Sequence, residues 1–194
     1  FMPRMYDSGH KANYVNWLYA NDPAKANKMM RSNKMPEYQD NIRFMHTYQF
    51  GYMYLRYFMW NFSGRQNDIQ GMGGKLEGNC ITGIPFIDNH FLGEQSDATS
   101  NQNKGNNKYY LLPLLLGLIG AVYYSMKDGK NSFIVFMFFI MTGMAIAFYL
   151  NMYAFQPRER DYAFAASFYA FSIWIGIGVY ALYSFFEKIK NNKI

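Results

Sequence analysis

The chain alternates between two regimes of patterning, and the boundary between them falls near residue 108. Beyond it, three uncharged runs cover 109–126, 132–153 and 162–186. A hydrocarbon core of about 30 Å takes about 20 apolar helical residues to cross, so each run reads as a membrane span. Tyr109, Tyr110, Tyr123 and Tyr124 bracket the first run, and aromatic side chains of this kind favour a membrane surface. Pro113 lies in its first turn, where a missing N–H removes no helical hydrogen bond. The second run has Thr142, Gly143, Met144 and Ala145 at its centre, and the third has Ala163, Ala165, Ala166, Ser167 and Ala170, then Gly176 and Gly178. Small residues let helices approach closely, so these patches predict helix packing. The buried core helix of a soluble protein is the alternative for any one run, and three runs this long and uncharged argue against it.

Before residue 108 the pattern is polar and interrupted. Tyr14, Val15 and Leu18 recur at helical spacing, followed by Asn21-Asp22-Pro23, where Asp22 caps a helix begun by Pro23. Over 37–62 the chain turns aromatic, with eight aromatic residues among the fifteen from Tyr48 to Phe62. Arg43, His46, Gln49 and Arg56 make this stretch too polar to cross a bilayer comfortably. It predicts an amphipathic helix at the membrane interface, lying against the bundle, with arginine reaching to the headgroups. The alternation of Tyr48, Phe50, Tyr52 and Tyr54 suits a strand equally well. The segment 81–92, with Pro85, reads as a short re-entrant or interfacial piece, and 97–108 as a polar linker. The expected fold is an all-α integral membrane protein. Three transmembrane helices follow a periplasmic and interfacial region of helices and loops.

Composition changes this picture little. The 194 residues are 51% hydrophobic, 20% aromatic and 16% charged, with a net charge of +6. Mean hydropathy just below zero would suit a soluble domain, but it averages two unlike halves. Residues 1–108 hold twelve basic and nine acidic side chains, whereas the remainder holds seven and four, gathered in three tight clusters. The positive charge divides evenly, with no basic tract and no zinc-finger spacing, which argues against nucleic acid as a partner. The aromatic share excludes a disordered tail, and a single cysteine, Cys80, excludes an internal disulfide framework. Phe1-Met2-Pro3-Arg4 has neither an initiator-like start nor a signal-peptide n-region, so the chain reads as an internal segment of a longer protein. Five lysines fall in 127–131 and 187–194, against Arg158 and Arg160 in the other loop and Lys104 and Lys108 before the first span. That balance puts 127–131 and 187–194 on the cytoplasmic side, and 1–108 with 156–161 on the outer, periplasmic side.

Candidate chemistry is sparse. His10, His46 and His90 make no HxxxH or HExxH pair, and Asp88 lies two residues from His90, so no metal ligand set is expected. The 64–75 stretch ends in Gly74-Lys75, but a phosphate-binding loop needs glycine where Ile69 stands and Ser or Thr where Leu76 stands, so its glycines read as turns. No Gly-x-Ser-x-Gly elbow occurs, and Cys80 has no local partner to activate it. The informative cluster is Gln156-Pro157-Arg158-Glu159-Arg160-Asp161-Tyr162, four consecutive charges between two apolar runs. Arginine matches a phosphate with paired hydrogen bonds, so Arg158 and Arg160 are candidate lipid-phosphate ligands with Glu159 and Asp161 orienting them. A self-neutralising loop, its charges paired with one another and with the first half, fits the same residues equally well.

Several longer pieces carry a family resemblance: 56–71 (RYFMWNFSGRQNDIQG), 81–88 (ITGIPFID), 113–117 (PLLLG) and 156–163 (QPRERDYA). Together they resemble a family of large multi-span membrane proteins of Gram-negative bacteria with a domain of unknown function related to protein O-mannosyltransferases. The resemblance implies a GT-C-type glycosyltransferase bundle, a polyprenyl-phosphate sugar donor entering from the membrane, and transfer on the periplasmic side. It adds Arg65 and Asp68 as supporting residues. It also implies a catalytic carboxylate in a first outer loop preceding this segment, so no catalytic residue and no cofactor is assigned within it. The expected partners are membrane lipids, the polyprenyl-phosphate donor and further transmembrane helices. A non-catalytic membrane scaffold or envelope-assembly component is the second reading. A transporter is disfavoured, because the spans carry no ionisable residue at midplane.

Overall fold

The computed structural model describes residues 5–32, 34–94 and 103–191. The fold is mostly helical, in the order α1 (Lys11–Leu18), α2 (Pro23–Arg31), α3 (Tyr38–Phe44), a π-helical segment Met45–Leu55, α4 (Arg56–Phe62) and α5 (Pro85–Leu92), then α6 (Leu112–Lys127), α7 (Gly129–Thr142), α8 (Met144–Leu150) and α9 (Ala165–Asn191). Two short strands, β1 (Gly64–Arg65) and β2 (Asn107–Lys108), pair antiparallel.

Two of the three expected spans are helices long and apolar enough to cross a bilayer. These are the 22-residue unit Gly129–Leu150 and the 31-residue unit Asp161–Asn191. The expected first span is shorter than the sequence suggests. Tyr110 and Leu111 take left-handed backbone angles, and Tyr109 N–H donates to Ser63 C=O at 2.9 Å, so the helix starts only at Leu112. Its 16 residues extend for about 24 Å, short of a bilayer core. Pro113 lies in its first turn as anticipated, and Asp22 caps α2 through Lys25 N–H at 2.9 Å.

The apolar helices form a three-helix unit. Asp128 both ends α6 and caps α7 through Asn131 N–H, making a hairpin with a one-residue turn, braced by Ser125 and Ser132 hydroxyls 2.9 Å apart. α9 runs parallel to α6: Gly117 faces Phe171, Gly120 faces Trp174 and Gly178, and Tyr123 meets Tyr180. Consequently Lys127, Lys130, Lys188 and Lys190 share one end of the unit, and the 151–164 connection lies at the other with the start of α6. The two helices touch backbone to backbone. A Cβ on Gly120 would fall 1.8 Å from the Trp174 carbonyl oxygen, and one on Gly178 would fall 2.1 Å from that of Leu116. Gly143, between α7 and α8, is likewise pressed on Tyr54 and Ser167, whereas Gly176 faces open space.

Residues 38–62 form one continuous helical run, which settles helix against strand for the aromatic segment. Its rings pair at helical spacing, Tyr48 with Tyr52 and Phe58 with Phe62 at 5.8 and 4.9 Å. The run is more enclosed than an interfacial helix lying on a bundle. Tyr48, Gln49, Met53, Tyr54 and Tyr57 are buried, and a single hydrophobic core unites the four apolar ones with Val15 and Leu18 on one side and Ala147, Met152 and Phe164 on the other. This core therefore draws on both sides of residue 108. Tyr54 bridges the halves directly, its hydroxyl 2.7 Å from Ser167 Oγ, which in turn donates to Phe139 C=O.

The segment 97–108, expected as a linker, lies outside the described residues up to 102; from 103 onward it is tied down. Asn103, Asn106 and Asn107 side chains bond Asp68 N–H, Gln66 C=O and Arg65 N–H, so asparagine amides close a loop that composition alone marks as linker. The piece 81–92 contains the short helix α5, with Phe86 and Phe91 exposed.

Replacing Gly120 or Gly178 by leucine is expected to destabilise the protein by about 3 kcal/mol, the upper range for overpacking. Gly176→Ala, in open space, is expected to stabilise by about 1 kcal/mol through helix propensity. Thermal unfolding in detergent micelles, followed by circular dichroism, measures both.

Candidate functional site

At the end of the unit opposite the lysines, the 156–161 loop meets the aromatic helix. Glu159 is its fixed point. Arg56 Nη2 donates to Glu159 Oε2 at 2.8 Å and Nη1 to Oε1 at 3.3 Å, Gly71 N–H donates to Oε1 at 3.0 Å, and the Tyr57 hydroxyl makes a short bond to Oε2. Arg160 N–H then donates to the same hydroxyl at 3.1 Å. Burial alone disfavours the Glu159 charge, but Arg56, Tyr57 and Gly71 together hold its carboxyl below the usual range. Burial, reinforced by the Glu159 bond, pushes the Tyr57 phenol well above its ordinary value, so it remains a donor.

Arg56 is 5% exposed, which overturns its expected role as a side chain reaching for headgroups. Its Nε donates to Tyr52 C=O and Nη1 to Gly78 C=O. Its guanidinium lies 4.0, 4.6 and 4.7 Å from the ring centroids of Tyr52, Tyr57 and Trp60. The signal was present in the sequence: Tyr52 and Trp60 flank Arg56 at i−4 and i+4, the spacing that stacks side chains on one helix face.

The sequence-derived residues divide into two sets. Glu159 is turned onto Arg56 of the first half, a pairing that the self-neutralising reading allows, and not onto Arg158 or Arg160. Arg158 is exposed and Arg160 half-buried, and among the described residues neither side chain forms an ion pair; the pairs are Asp7 with His10 and Arg56 with Glu159. Asp161 is exposed and opens the 3₁₀ turn Asp161–Phe164 leading into α9. Arg65 joins the cluster from behind, its guanidinium 3.9 Å from the Trp60 ring centroid and Nε bonded to Asn67 C=O. Asp68 stands apart, exposed, beside the Asn103 turn.

The loop that supplies Gly71 and Gly78 is built from buried amides. Asn67 Oδ1 accepts from Gly78 N–H at 2.8 Å, and Gln66 bonds Lys75 C=O and Asn79. Gly78 adopts φ +54°, where a Cβ would meet Ile69 C=O at 2.6 Å, so this glycine serves as a turn. Further bonds pin the 151–156 strap: Asn13 to Ala154 C=O, Gln49 to Asn151, and Gln70 to Gln156 C=O.

The remaining candidates contribute little chemistry. His10 bonds Asp7 and stacks on Tyr153, His46 packs on Phe50, and His90 on Phe91. Among the described residues no three His, Cys, Asp or Glu side chains gather as a metal site. Burial pushes the Cys80 thiol up, away from nucleophilic reactivity. Cys80 lines a mostly apolar cavity of about 480 Å³ on the far side of Tyr52 and Arg56, whereas the space beside Glu159 amounts to about 10 Å³. The chain matches no family model, no curated protein and no solved structure.

Arg56→Met would leave Glu159 charged among aromatic rings, with an expected loss of about 3–5 kcal/mol, while Arg56→Met with Glu159→Gln should recover much of it. A double-mutant cycle on chemical unfolding measures the difference. Because the folded pKa of Glu159 lies below its unfolded value of about 4.3, its stabilisation is complete above that pH and is lost as pH falls through the lower folded value. Acid unfolding profiles should show this slope in the parent chain and not in Glu159→Gln.

Proposed function

We propose that the chain is a membrane-embedded segment of a glycosyltransferase-like protein, whose loop at 156–161 binds the phosphate of a polyprenyl-phosphate sugar donor at the periplasmic face of an inner membrane. One observation carries this reading: Glu159 is consumed by Arg56, so the arginines on either side of it flank an anchored residue and, among the described residues, form no ion pair. Two positive groups on an anchored backbone, at the end of an uncharged helical unit, suit a doubly hydrogen-bonded phosphate. Arg65, beyond Trp60, adds positive charge behind the loop. The two long apolar helices support membrane placement, with the short α6 packed along α9 as a third member.

The second reading, a membrane scaffold without catalysis, draws on the same ion pair. The half-buried carboxylate of the loop is engaged by three donors, Arg56, Tyr57 and Gly71, which disfavours a role in moving protons. Comparing periplasmic glycoproteins by mass spectrometry, with and without the protein, separates the two: loss of a glycan favours the enzyme.

The phosphate site has its own test. Arg158→Ala with Arg160→Ala should weaken binding of a long-chain polyprenyl phosphate to the detergent-solubilised chain by tenfold or more, each lost charged hydrogen bond being worth about 1.5–3 kcal/mol. The corresponding polyprenol, lacking phosphate, should bind the parent and the variant alike. Equal affinity of parent and variant for the phosphate would sink the assignment.

A further inference from the structure

A groove lies at the end of the unit opposite the arginine loop. α6 and α9 touch at Gly120 and Gly178. Beyond that contact, towards the lysine end, the helices leave a cavity of about 960 Å³ between them. Its walls include Leu118, Val122 and Met126 from α6 and Phe185 from α9, and its floor contains the small residues Ala181 and Ser184. Leu118, Val122, Met126 and Phe185 are all exposed. Among the described residues the cations on the lining are Lys127 and Lys188, both at the terminal end of the groove, with Glu187 as the one acid beside them.

We propose that this groove holds an anionic phospholipid, its acyl chains between α6 and α9 and its phosphate at Lys127 and Lys188. The inference rests on the membrane placement proposed above but not on the arginine loop. Charge and length both point to a lipid. The groove is uncharged until its mouth, where the lysines outnumber the acid. From Leu118 to Lys127 the helix rises about 13 Å, close to the roughly 15 Å of one leaflet, half of a bilayer core. The ammonium groups therefore lie at headgroup depth when the apolar walls are immersed. A transmembrane helix filling the same groove would have to bury those ammonium groups beside its own backbone.

Native mass spectrometry of the chain, released from micelles doped equally with phosphatidylglycerol and phosphatidylcholine, tests the site. Phosphatidylglycerol should be retained preferentially, and Lys127→Gln and Lys188→Gln should each lower that retention about fivefold. Ser184→Phe, which fills the floor, should lower retention of both lipids. Lys130→Gln with Lys190→Gln, at the same end but off the lining, should leave the preference intact. Equal retention of the two lipids, an equal loss from the Lys130 and Lys190 pair, or a lipid-free dimer would each overturn the proposal. Flotation with phosphatidylcholine vesicles separates the two levels of failure. A chain that floats without phosphatidylglycerol preference refutes this site alone, and one that does not float refutes the membrane placement as well.

Discussion

An arginine taken out of water, and a carboxylate partly so, must be matched by charge and hydrogen bonds, and the match of Arg56 with Glu159 ties the parts of the chain together. Arg56 comes from the aromatic helix, Gly71 from the amide-closed loop, and Glu159 from the connection between the apolar helices. Three segments separated by up to 103 residues converge on one group. Such a pair adds little net stability compared with an apolar replacement, but it tolerates no half measures. Its value is specificity of assembly: alternative registers of the strap against the helix leave a charge stranded. The aromatic rings around Arg56 reinforce this, because they accept a planar cation stacked on them and exclude water from it.

The apolar unit solves a different problem. Helices surrounded by hydrocarbon gain nothing from hiding one apolar side chain behind another, so close approach and shape must hold them together. Gly117, Gly120 and Gly178 provide that approach, Phe171 and Trp174 fill the space beside it, and Ser167 and Ser132 add hydrogen bonds where helices cross. Exposed Phe133, Ile134 and Phe136 on α7 lie away from these contacts, as they would on a face meeting lipid. Gly117, Gly120 and Gly178 thus lie inward beside Phe171 and Trp174, while large apolar side chains such as Phe133 and Ile134 remain outward.

What could be read from the sequence was whatever depends on near neighbours. The uncharged runs, the Asp22-Pro23 helix start, the Pro113 first turn and the packing role of Gly178 all follow from local pattern. The length of the first apolar helix did not, because it depends on Ser63 C=O capturing Tyr109 N–H from 46 residues away. The linker reading of 103–108 failed for a related reason. Asparagine is the residue of loops when its amide faces water, yet here Asn103, Asn106 and Asn107 serve backbone groups of a distant turn. The charged loop showed its importance at once, but the partner of Glu159 was hidden in an aromatic stretch where an arginine looked like a surface residue. Gly176 and Gly178 looked alike in sequence, and only the helix crossing tells them apart.

The π-helical segment bears on how the chain can change. Met45–Leu55 is wound as a π-helix, in which an N–H reaches one residue further back than in an α-helix, as Arg56 N–H does at its end on Gly51 C=O. The number of residues in this stretch therefore sets the phase between the tyrosines that face the N-terminal helices and the arginine that faces Glu159. Deleting one residue here would let the helix relax to ordinary winding and swing Arg56 by about 100°, off its carboxylate and its rings. Substitution and deletion are thus unequal events in this helix. A lineage can drift in side-chain identity along it while its residue count stays frozen.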